Sequence, residues 1–84
     1  MSTVISDEQA KKNIAANVRR LMKERKLSQT DLANLTKESR MTICRVVNGY
    51  HLPGSGLLAR VAEALRVPAD YLISHSPKKS SKTA

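Results

Sequence analysis

The chain has one cysteine, no phenylalanine, no tryptophan and two tyrosines in 84 residues, and each shortage removes a class of structure or chemistry. Cys44 alone permits no internal disulfide, which fits a reducing compartment. With His51 and His75 it supplies too few and too scattered donors for a zinc centre. Both histidines fall in loop or tail, and no serine, histidine and acid set or carboxylate pair stands at a useful spacing, so neither an enzyme nor a metal or cofactor is expected. No stretch approaches the roughly 20 apolar residues of a membrane span, and no apolar run follows a basic N-terminus. A soluble, cytoplasmic protein is expected.

With Tyr50 and Tyr71 as its sole aromatics, the chain must build its core from aliphatic side chains and alanine, which favours helices. Acidic residues are also scarce: 7 against 15 lysines and arginines, a formal charge of +8. Without the tail lysines Lys78, Lys79 and Lys82 the balance is still +5. Such a field attracts polyanions, either nucleic acid or an anionic membrane surface. Among nucleic acids, single-stranded RNA is disfavoured, because its readers stack bases on exposed aromatics.

A chain this short buries about 60 to 65 % of its unfolded surface and supports one core. Ser6 and Gln9 read as a capping box, followed by Ala10, Ile14, Val18, Leu21 and Met22 at helical spacing toward Lys26. Ser28, with Asp31 three residues on, opens a short second helix with Leu32, Ala33 and Leu35 on its apolar side. Thr36, Lys37 and Glu38 form the connection. Ser39 caps a third helix that buries Ile43, Val46 and Val47 and stops at Gly49. Ser55 is the expected cap of a fourth helix carrying Leu57, Leu58, Val61, Ala62 and Leu65. Pro68 is placed in the first turn of a fifth with Tyr71, Leu72 and Ile73. Period-two alternation is missing throughout, so the expected class is all-α, a compact five-helix bundle. Residues 1–12 form an N-terminal segment with the start of helix one, 13–74 the domain, and 75–84 a disordered basic tail.

Two short helices joined by about three residues fit the helix-turn-helix motif, whose second helix enters the DNA major groove. At about 100° per residue, Met41, Cys44, Arg45 and Asn48 lie opposite the buried side of helix three, and Arg40 begins the helix. Arginine pairs bidentately with guanine O6 and N7, so this face suits base reading. The bland counterpart is an ordinary solvated helix face. Cys44 has only Arg45 beside it in sequence as an activating charge, which favours an inert thiol over a sensor.

The run Leu27-Ser28-Gln29-Thr30-Asp31-Leu32-Ala33, then Ser39-Arg40-Met41-Thr42-Ile43-Cys44-Arg45-Val46, Asn48-Gly49 and Pro53 resembles the Cro and lambda-repressor class, or XRE family. The likeness continues through Leu57–Leu65 and Val67–Leu72 and covers about residues 14–73. It implies a lambda-repressor-like domain in which Arg40, Met41 and Arg45 read bases. Gln29 would hold a phosphate and brace the recognition helix, while Ser39, Thr42 and Asn48 would lie near the backbone or the edge of the site. Lys26 is at most a phosphate contact. Ala33 would give the close approach of helices two and three. The chain departs from the family in having Lys37 for the usual turn glycine and Thr36 for the aliphatic residue before it. A third departure is paired: Met22 and Val47 stand where many members carry an arginine and a glutamate in an ion pair, a joint change that is physically coherent.

The implied function is sequence-specific binding of double-stranded DNA as a transcriptional repressor at the nucleoid, by a homodimer on an inverted repeat. Leu52, Tyr71, Leu72 and Ile73 are the expected dimer surface; the alternative is that Tyr71 and Leu72 close the monomer core and two chains meet only on DNA. The same fold also serves as an antitoxin, which would add a toxin as partner. Helix one, with Arg19, Arg20, Lys23, Arg25 and Lys26, suggests membrane-surface binding less well, because its neighbours favour a solvated or phosphate-facing edge.

Overall fold

The computed structural model describes residues 6–74, so the basic tail inferred for 75–84 lies outside the described residues. Five helices follow in order: α1 (Asp7–Arg25), α2 (Gln29–Thr36), α3 (Arg40–Val47), α4 (Ser55–Leu65) and α5 (Ala69–Ser74). No strand occurs among the described residues. The long α1 is the spine: α3, α4 and α5 pack on it, while α2 rests on α3 and α4.

Local chemistry sets the helix boundaries. Ser28 makes a complete capping box: its Oγ accepts from Asp31 N at 3.0 Å and its own N–H donates to Asp31 Oδ2 at 3.0 Å. Ser39 Oγ accepts from Thr42 N at 3.1 Å and so starts α3. At α1 the box is half made. Ser6 caps Gln9 N, but the Gln9 amide turns forward and donates to Asn13 Oδ1 at 2.9 Å. Gly54, not Ser55, is the N-cap of α4, and Ser55 is already helical. Pro68 stands just before α5, where its carbonyl accepts from Tyr71 N at 3.1 Å. Thr36 is the last residue of α2, so Lys37, Glu38 and Ser39 make the connection.

The core is aliphatic, as the shortage of aromatics requires: Ile14, Val18, Leu21, Leu32, Ile43, Val46, Val61, Leu65 and Leu72 are all buried. Leu35 departs from the expected pattern, because it sits one helical step off the buried stripe of Leu32, Ala33 and Thr36 and is 56 % exposed. Leu72, assigned above to a dimer surface, is fully buried within its own chain. Two buried asparagines explain why: Asn13 Nδ2 donates to Ile73 O at 2.6 Å and Asn17 Nδ2 to Leu72 O at 2.8 Å. These carbonyls lie in the last turn of α5, where helical partners run out. The two amides thus dock α5 against α1 and leave Leu72 facing inward.

Met22 and Val47 both lie in the main apolar cluster, and their helices pack together. Replacing Val47 alone by Glu would bury an unpaired carboxylate and should destabilise the fold by roughly 3 kcal/mol or more. Met22→Arg added to Val47→Glu should recover part of that loss by pairing it. Denaturant unfolding of the four proteins checks this, and strictly additive losses would show that the two side chains do not meet.

Candidate nucleic-acid interface

The α3 helix has two unlike sides. Ile43, Val46 and Val47 are buried, whereas Arg40, Met41 and Arg45 are exposed and Cys44 is half-buried. Because each inward side chain removed from water is worth about 1.5–3 kcal/mol, the helix cannot roll without losing its anchorage. The outward side chains are therefore presented in one fixed orientation.

That outward surface continues into a shallow cleft lined by Gln29, Arg40, Met41, Cys44, Arg45 and Tyr50. It brings together three residues that the sequence assigned to base reading, Arg40, Met41 and Arg45, with Gln29 from the start of α2. Ser39, Thr42 and Asn48 are differently employed. The Ser39 hydroxyl donates to Thr42 Oγ1 at 3.0 Å while capping the helix, so both are tied up in the first turn. Asn48 Nδ2 donates back to Cys44 O at 2.9 Å and reaches Cys44 Sγ at 3.3 Å. Asn48 thus finishes α3 from its exposed end. Lys26 is exposed at the left-handed C-cap of α1.

Both charged residues that line the cleft are arginines. Residues 39–62 contain no aspartate or glutamate. Arg20, Arg25, Arg60 and Lys11 each meet a glutamate, but the guanidinium groups of Arg40 and Arg45 make no ion pair or hydrogen bond among the described residues. Arg40 also occupies the first position of a helix with no acidic residue in its first turn. A cation there opposes the helix dipole at a cost of about 0.3–1 kcal/mol. A local rule broken without internal compensation marks a candidate site, and a cation in that position suits an anionic partner.

Two residues that matter here carried no mark in the sequence. Arg60 of α4 donates from Nε to Thr36 O at 2.9 Å and from Nη2 to Glu38 Oε2 at 2.8 Å, and so clamps the turn between α2 and α3. The side chain comes from 24 residues away, a contact no local pattern reports. Within that turn Lys37 has φ of 58°, the left-handed region usual for glycine, at a strain of roughly 1 kcal/mol. Lys37 N and Glu38 N close the end of α2 by donating to Asn34 O and Ala33 O. Thr36 is fully buried with its hydroxyl donating to Leu32 O at 2.8 Å, so it fills the aliphatic position without leaving a polar atom unpaired. Tyr50, the second, lies beyond the end of α3 and is placed by Gly49. With φ of 79°, Gly49 lets Tyr50 N donate to Arg45 O at 2.9 Å.

This arrangement, two short helices locked at a fixed angle with the second presenting unpaired arginines, is the helix-turn-helix. A helix-turn-helix family model matches residues 18–72, and the chain belongs to that family, the class of Cro and lambda repressor. Membership makes it a DNA-binding regulator. No functionally curated protein matches it. Among solved structures, a hypothetical transcription factor, NHTF, from Neisseria is similar over 100 % of this chain and 95 % of its own, with a TM-score of 0.77 and 20 % identity, a likeness of fold.

Alanine at Arg40 or Arg45 should cost roughly 1–3 kcal/mol on the preferred duplex and relax the choice of base at particular positions. Lys26→Ala should weaken all duplexes alike and lower the salt slope by about one. Gel-shift titrations on specific and random duplexes separate the two patterns, and equal losses on both duplexes for the arginine variants would contradict base-edge contacts.

Proposed function

We propose that the protein is a transcriptional repressor that binds an inverted-repeat operator in double-stranded DNA as a homodimer, inserting α3 into the major groove. The observation that carries this reading is the outward face of α3: Arg40 and Arg45, without acidic partners among the described residues, flank one cleft on an anchored helix. Arg40, Met41 and Arg45 read base edges. Gln29 and Lys26 hold phosphates, and Ser39, Thr42 and Asn48 shape the rim. The description of the Neisseria protein as a hypothetical transcription factor agrees with a regulatory role. Among the described residues no helix is long and apolar enough to cross a membrane. The protein acts on the chromosome in the cytoplasm, without a cofactor or catalytic step.

Selectivity argues for two copies, since one short recognition helix contacts only a few base pairs against a genome of competing sites. A two-fold dimer places two α3 helices about 34 Å apart, reading half-sites about 10 base pairs apart. Leu72 is consumed by the core, so the dimer surface contracts to the partly buried Leu52, Tyr71 and Ile73.

The antitoxin reading requires a surface for a protein partner. A second concavity, lined by Leu35, Lys37, Arg60, Glu63, Ala64 and Arg66, shares no residue with the α3 cleft and includes the exposed Leu35. That reading also requires a toxin encoded beside the gene.

Sedimentation at micromolar concentration, with and without an inverted-repeat duplex, should give two chains per duplex. A strict one-to-one complex on a site without internal symmetry would defeat the dimer while leaving DNA binding in place.

A further inference from the structure

Large apolar side chains open to solvent are few among the described residues: Leu35, Met41 and Tyr50, at 56 %, 63 % and 78 % exposure. Two of these three line the cleft that holds Arg40 and Arg45, and the Cys44 side chain lines it with them. Met41, Cys44 and Arg45 are spaced three and four residues apart on α3, so they share one side of the helix. Tyr50 is fixed nearby through the Gly49 turn, and its hydroxyl has no hydrogen-bond partner among the described residues.

Phosphate has no use for such a surface, since it is bound by charge and hydrogen-bond donors. The edges of bases in the major groove offer donors, acceptors and one apolar group, the C5-methyl of thymine. We infer that Met41, Cys44 and Tyr50 form a receptor for a thymine methyl group, set among bases engaged by Arg40 and Arg45, and that Tyr50 is a specificity-determining residue. The inference rests on the double-stranded DNA reading above. A methionine thioether adapts to the shape of a methyl group, and a tyrosine ring supplies a flat, rigid wall with few rotamers to lose. Sequestering one methyl group from water corresponds to about a fourfold gain in affinity.

The test uses a duplex selected for tight binding, in which each thymine is replaced in turn by deoxyuridine, which lacks only the methyl group. Guanines are replaced separately by 7-deazaguanine, which lacks the N7 acceptor. Binding should weaken about fourfold at one thymine position for each chain bound. Tyr50→Ala and Met41→Gln should bring the thymine-to-uracil ratio close to one, whereas Tyr50→Phe should preserve it. Loss of affinity with 7-deazaguanine but with no deoxyuridine would leave base reading intact and overturn the methyl receptor. Equal weakening of thymine and uracil duplexes by Tyr50→Ala, with the ratio unchanged, would overturn the part assigned to Tyr50. Indifference to both analogues would overturn base reading and the receptor together.

Discussion

An eight-residue helix does not persist alone in water, because nucleation costs more than so few turns return. The functional account therefore depends on the apolar contact that holds α3 down, through Ile43, Val46 and Val47 packed into a core built on α1 and α2. That contact gives α3 its existence and its orientation at once. Whatever faces away from it is presented rigidly, with little further ordering to be lost when a ligand arrives.

The turn ahead of α3 sets the angle at which it is presented. Lys37 adopts a left-handed conformation that glycine would take more cheaply, and the surroundings hold it there: Ala33 O and Asn34 O accept from the turn, and Arg60 grips it from α4. Among the described residues three left-handed helix ends, Lys26, Lys37 and Arg66, use long basic residues instead of glycine. Each adds positive charge at some conformational cost. The outcome is a protein whose charge is distributed over its helix ends as well as over α3, which suits a polyanionic partner.

Much of this was legible in the sequence, for reasons tied to particular residues. The Ser28 and Ser39 caps, the Gly49 stop and the apolar spacing of α1, α3 and α4 are local signals, and they gave five helices in the right order. Less legible was whatever depended on contacts between distant segments. Ser55 looked like a cap, but the chain enters α4 through Gly54. Between a dimer surface and the monomer core for Leu72, the choice is made by the Asn13 and Asn17 amides, which draw α5 onto α1. The grip of Arg60 on the turn and the place of Tyr50 beside Met41 have no periodic signature, since each depends on how two elements meet. Leu35 shows the converse, an apolar residue that looked inward by type and faces water by angle.

The central claim is that DNA meets the outward face of α3 and the residues joined to it in the cleft. Backbone amide shifts recorded while a selected duplex is titrated into the protein test this most directly. The account predicts that perturbations concentrate at Gln29 and across residues 39–50, with buried residues of α1 and α5 such as Ile14, Val18 and Leu72 little affected. Perturbations centred on Leu35, Glu63 and Ala64, with α3 unmoved, would contradict it.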